Sequence, residues 1–294
     1  MTTLTHKNSH GVLPYTKNRL NLHSDPHEVK SRWTQSKVSR TKKARLISRL
    51  AWGICVSILW INSQAREPYQ STYEPRTTGD TLIIDANILT GRGSKLISND
   101  LLISQGKISR IGKNLEHEGS KVVSAKGKWV TPGIIDVHSH LGVYPSPSVS
   151  ATSDGNESSS PNTAQVWAEH SVWPQDPQFA LALAGGVTSV QVLPGSANLF
   201  GGRGVTLKNV PSRTVQGMKF PGAPHSLKMA CGENPKRVYG NKDSAPSTRM
   251  GNVAGYRDAW IKAKEYQEKL LKSESDKQHE KPNRDLRLET LVGV

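Results

Sequence analysis

The sequence predicts an α/β protein whose parallel sheet follows a small all-β module. Two observations carry this. Apolar strand-like runs alternate with helical runs from residue 134 onward, the pattern of βαβ units. Ahead of them, residues 80–132 hold only short β-rich runs separated by glycine-containing turns, as in a small antiparallel sheet or sandwich.

In the front module, TLIIDANILT (81–90) is β-rich, and DLLISQGKISRIG (100–112) reads as two short strands around Gln105-Gly106. KVVSAKGKWVTPG (121–133) adds one or two more. IIDVHSH (134–140) is a continuous apolar strand of the kind buried in a parallel sheet. Residues 164–186 are helical in parts, interrupted at Pro174 and Pro177 and stopped by Gly185-Gly186. VTSVQVLPG (187–195) is a second buried strand, and RTVQGMKF (213–220) and SLKMACGE (226–233) are further strand candidates. Residues 255–275 form a strongly helical run, 275–285 a polar loop, and LRLETLVGV (286–294) begins another element. No internal repeat of fixed period is present.

Charge and composition divide the chain of 294 residues. Residues 1–50 carry eleven Lys and Arg against Asp25 and Glu28, a net +9 of the total +15. The remainder has the charge of an ordinary globular enzyme, and no later basic stripe is interleaved with aromatics. Nucleic-acid binding is therefore not expected. The two cysteines, Cys55 and Cys231, make neither a disulfide framework nor a Cys-x-x-Cys zinc site.

LAWGICVSILWI (50–61) is too short for a membrane span of about 20 residues. Its basic flank, short apolar core and Ser63-Gln64-Ala65 end describe a signal peptide, which makes residues 1–65 a leader. Ile54 ahead of Cys55 is not the small residue that a lipoprotein signal needs. The leader lies far from Met1, so a start at Val38 or Leu46 is one reading, and an uncleaved membrane anchor at 50–61 is the alternative. Either places the rest outside the cytoplasm, in the periplasm or secreted. Residues 66–79 have no apolar period and read as a linker.

The chemistry concentrates in 130-VTPGIIDVHSHLGVYP-145. A strand turns alternate residues to one face, so Asp136, His138 and His140 share a side at the strand's C-terminal lip. Two imidazoles there can converge on one metal ion. Asp136, one step deeper, is placed to accept a hydrogen bond that fixes a histidine tautomer. The bland alternative is a pair of polar residues at a strand end.

TPGIIDVHSH resembles the signature of the metal-dependent amidohydrolase superfamily: Pro-Gly, two apolar residues, Asp, any residue, then His-x-His. The likeness runs over roughly residues 80–294 and is nearest the imidazolonepropionase- and prolidase-like branch. It implies a TIM-like (β/α) barrel behind a β-sandwich module, with the barrel over 133–294 incomplete. About 250 residues are usual for eight units, and only 161 run from Ile134 to Val294. It implies His138 and His140 as metal ligands, one or two divalent ions with zinc the default, and hydrolysis of amide, cyclic amide or peptide-like C–N bonds by a metal-activated water.

In 227-LKMACGENP-235, the resemblance nominates Lys228 as a carboxylated bridging ligand, with Glu233 the competing carboxylate. A snorkelling lysine is the alternative for Lys228. Arg203, among Gly201, Gly202 and Gly204, is either a fork gripping a substrate carboxylate or a solvated turn residue. His170 and His225 read as structural. The late-strand aspartate that shuttles protons in the family has no counterpart in this sequence, so an inactive fragment is expected. A secreted, non-catalytic binding protein on the same scaffold is the competing reading. The expected partner is a small-molecule or peptide-like substrate, with membrane contact only through an uncleaved leader and a homo-oligomer left open.

Overall fold

The computed structural model describes residues 69–276 and 278–293. The chain divides after Arg66, and every described residue lies in the second unit. The leader, its cleavage site and Cys55 fall outside the described residues.

The front module is one sheet. Strands β1 (Thr81–Leu89), β2 (Lys95–Ser104), β3 (Lys107–Gly112) and β4 (Lys121–Ser124) stand in the order β3-β2-β1-β4. The short β5 (Trp129–Val130) continues along β1. The expected hairpin forms at Gln105-Gly106, both at positive φ. Among the described residues the strands of 80–132 form this one sheet, and the second layer that a sandwich needs is not seen within the module. One cluster there joins Ala86, Ile88, Leu101 and Ala125, and Leu82 and Leu102 are buried as well.

The second sheet holds β6 (Ile134–Ser139), β7 (Val187–Val192), β8 (Phe200–Lys208) and β9 (Ser226–Met229), in that order. β6 and β7 are parallel, joined through helix α1 (Pro177–Ala184). Pro177 does not interrupt this helix but starts it. The Asp176 carboxylate caps it by accepting from the Gln178 N–H at 3.0 Å, and the fixed φ of proline suits the first helical position.

Beyond β7 the parallel pattern ends. β8 runs antiparallel to β7, and β9 antiparallel to β8. The cause is connection length: only residues 193–199 separate β7 from β8, and a parallel crossover needs a dozen or more. The described residues thus form an open mixed sheet, with no closed barrel. β8 occupies the glycine-rich stretch that reads as a turn. Gly202 sits at φ +113° with a Cβ position only 2.4 Å from the Val166 carbonyl oxygen, so only glycine lets the two backbones approach.

The expected strand at 213–220 is a turn with one bridge, Leu207 to Lys219. Its apolar residues do not alternate along a sheet; Met218 and Val215 plug the core beneath β8. Two clusters flank the sheet. One joins Val190, Val192, Val205, Leu207 and Met218 to Phe179 of α1. The other packs Leu199 and Phe200 on Ala259 and Ala263 of α3 (Arg249–Ser275) and Leu291 of α4 (Leu286–Val292). Helix α2 (Glu233–Gly240) follows β9. α3 begins six residues before the apolar run, because Thr248 caps it by accepting from Gly251 N–H at 3.0 Å.

Part of the expected linker is ordered. Ser71 Oγ donates to the Lys219 carbonyl at 2.7 Å, and Lys219 Nζ donates to the Tyr69 carbonyl at 2.7 Å. Among the described residues no helix is long and apolar enough to cross a membrane.

Candidate metal centre

The centre assembles where β6 ends. His138 is the fifth residue of β6 and His140 follows the strand; their ring centroids are 5.3 Å apart. His140 Nδ1 lies 2.8 Å from the Leu193 carbonyl oxygen, just past β7. A carbonyl only accepts, so Nδ1 carries the proton and Nε2 keeps its lone pair for a ligand or metal. Parallel pairing of β6 and β7 brings that carbonyl there, and Leu193 N–H donates to Ser139 O at 2.9 Å.

Lys228 reaches the same spot from β9. Its Nζ stands 3.0 Å from His138 Nε2. Its stem crosses β8 at Gly201 and Gly202, where no side chain stands in the way. The lysine is 9% exposed, and no carboxylate hydrogen-bonds to it among the described residues. Desolvation therefore pushes its pKa down. The His138 imidazole is also held below its ordinary value, first by the Lys228 charge, then by desolvation and by His140. Among the described residues no three His, Cys, Asp or Glu side chains converge. The donor set is two imidazoles and one amine, and the charge of Asp136, the smallest influence on His138, only partly offsets them. This set fits a cation only if the lysine gives up its charge.

The other expected site residues do not join this cluster. Asp136 Oδ1 accepts from the backbone N–H of His138 at 3.1 Å and touches neither imidazole; the tautomer-fixing contact expected of it is made by Leu193. Glu233 is exposed at the start of α2. Arg203 lies over the Trp167 ring, 4.8 Å from its centroid. His170 stacks on Trp167, and His225 Nδ1 approaches the Gly204 carbonyl at 3.2 Å.

Beside the centre lies a cavity of about 440 Å³, lined in part by Asn156, Gln165, Trp167, Pro194 and Gly201. One buried carboxylate that the sequence did not single out holds the loop after His140. Asp176, 2% exposed, accepts from the N–H groups of Gly142 at 3.0 Å and Ser146 at 3.2 Å, and so pins the loop after His140. Its Asp-Pro position at a helix start was the available signal.

Comparison with known proteins agrees with the motif. The chain is 34% identical over 192 residues to the amidohydrolase tasK of Hapsidospora irregularis, covering 61% of this chain and 20% of that one. It is 46% identical over 61 residues to a dihydroorotase of Halalkalibacterium halodurans, covering 21% of this chain and 14% of that one. The crystal structure of an amidohydrolase from Thermotoga maritima superposes with a TM-score of 0.66 at 39% identity, over 72% of this chain and 54% of that one. These likenesses point to the amidohydrolase superfamily. No family model matches it. The chain spans a fifth of the length of tasK and about half of the Thermotoga protein.

Proposed function

We propose that the protein is a metal-dependent hydrolase of C–N bonds in amide, cyclic amide or peptide-like substrates. The observation that carries this reading is the convergence of His138 Nε2 and Lys228 Nζ beside an imidazole whose tautomer leaves Nε2 available. His138 and His140 would hold a divalent ion, zinc by default for nitrogen ligands. When bound, the ion polarises the scissile carbonyl and acidifies a water to a pKa of about 7. Lys228 would be a carbamate ligand. Burial without an acid partner favours the neutral amine, which adds carbon dioxide and releases a proton, giving an anion against the two imidazoles. The Leu193 carbonyl holds His140 in its donor-ready orientation. The cavity bounded by Trp167 and Pro194 would take the substrate, with cyclic amides such as dihydroorotate favoured by the dihydroorotase relative.

The test uses the purified full chain. Metal content measured with and without bicarbonate should rise with bicarbonate in the wild type and not in Lys228→Met. Hydrolysis of dihydroorotate and of a dipeptide panel would then name the substrate. A wild-type protein that retains no divalent metal under either condition would sink the reading. We also propose an extracytoplasmic location, from the leader-like segment at 50–61; amino-terminal sequencing of the mature protein tests it.

A further inference from the structure

We propose that Tyr144 is the hydrogen-bond donor that this centre offers to a substrate's carbonyl or other acceptor, with Asn156 holding the phenol in that role. The proposal rests on the hydrolase reading and adds a residue to it.

Tyr144 follows His140 by four residues, and its ring meets the His140 ring edge-to-face at 5.8 Å between centroids. Its loop is anchored by Asp176, and its carbonyl accepts from Gln178 Nε2 at 3.0 Å. The phenol's one side-chain partner is Asn156, whose Nδ2 donates to Tyr144 Oη. The direction of that bond decides the argument. Asn156 Oδ1 accepts from the backbone N–H of Ala197 at 3.1 Å. A backbone N–H can only donate, so the oxygen of the amide must face Ala197 and the nitrogen must face the phenol. An amide nitrogen cannot accept. The phenol oxygen therefore receives a proton from Asn156 and cannot return its own. Among the described residues the Tyr144 O–H has no acceptor.

The chain makes room for this pair at two glycines. A Cβ on Gly155 would stand 2.0 Å from Tyr144 Cζ, and a Cβ on Gly195 would stand 2.3 Å from Asn156 Nδ2. The glycines are bonded to each other, Gly195 N–H to Gly155 O at 2.6 Å. Any side chain at either position would break the Tyr–Asn contact. Asn156 lines the cavity together with Pro194 and Gly201, and Tyr144 is 37% exposed. An uncommitted phenol proton is thus kept on a residue whose ring meets His140 and whose hydroxyl meets the cavity-lining Asn156. A donor preset in this way stabilises charge developing on a substrate oxygen without reorganising during the reaction.

The test is binding of acetohydroxamate to the cobalt(II)-loaded full chain, followed by visible absorption. Tyr144→Phe keeps the ring and removes the proton; affinity is expected to fall about tenfold, equivalent to ~1.4 kcal/mol. Asn156→Asp presents a carboxylate that captures the phenol proton, and a fall of similar size is expected with the tyrosine intact. Cobalt content should match the wild type in both. Wild-type affinity in Tyr144→Phe at full cobalt content would overturn the donor role and leave the metal-hydrolase reading standing. If Tyr144→Phe does not fold, wild-type affinity in Asn156→Asp overturns it instead. Failure of the wild type to take up cobalt would overturn both.

Discussion

The two sheets of this protein are built from similar strand sequences and stabilised very differently. The front sheet buries a handful of small and aliphatic residues, Leu101 and Leu102 among them, and leaves Ile97, Ile108, Val122 and Trp129 exposed. The second sheet is flanked by two clusters, and Phe200, Val190, Val192, Leu207 and Met218 are wholly buried there. Yet this well-packed sheet has one bare margin. Among the described residues β6 pairs only with β7, and it exposes Ile134, Ile135 and Val137. The centre straddles that contrast: Lys228 is set in the packed side, and His138 hangs on the margin. Packing density therefore marks where the scaffold is rigid, and the chemistry sits at its border.

The largest test of the comparison is a pair of truncations, one buried and one exposed. Phe200→Ala should cost roughly 3–5 kcal/mol of stability, through lost burial and a residual cavity. Ile108→Ala, at a side chain 63% exposed, should cost under about 0.5 kcal/mol. Urea unfolding measures both, and equal losses would break the contrast. Next in size is His140→Ala. Loss of a residue that only hydrogen-bonds to a metal ligand weakens metal binding by about 10–100-fold, and loss of this ring should exceed that range. Competition with a chelating dye reads the change.

The titration of His138 sharpens the comparison at its border. Its pKa is depressed chiefly by the Lys228 charge. Its contribution to stability is therefore fully present above the ordinary imidazole value of about 6.5 and is lost as pH falls through the depressed value. Proton NMR of the ring should show titration below the ordinary value, and Lys228→Met should move it back up. An unchanged His138 titration in that variant would show that the lysine is not the cause. The smallest effect on stability is expected from Ile135→Lys and Val137→Lys. Both side chains are exposed on an edge strand, so unfolding should change by less than about 0.5 kcal/mol. Self-association, read by light scattering against concentration, should fall because charge blunts an open edge.

Much of this was legible in the chain. The β6 strand with its two histidines, the crossover helix with its glycine stop, the β7 strand and the Lys228 strand all stand where apolar runs and breakers put them. The β8 strand was not legible, because its glycines carry the signature of a turn, and only the close approach of the Val166 backbone explains them. Met218 looked like a strand residue, since an apolar side chain that plugs a core has the same hydropathy as one in a sheet. The start of α3 was hidden by Gly251 and Gly255, which are poor helix formers overruled by a threonine cap.

Local pattern alone determined the identity and order of the ligand candidates, because alternation along a strand is a property of neighbouring residues. What only the tertiary structure decided is who meets whom. Leu193 fixes the His140 tautomer through a backbone carbonyl, which every residue carries and no motif can advertise. Lys228, and not Glu233, meets His138 because antiparallel pairing of β8 with β9 carries its stem across two glycines. Tyr144 and Asn156 are twelve residues apart and come together only because Gly155 and Gly195 leave space for them. Such contacts depend on the distance between segments, and that distance is set by packing of the whole sheet.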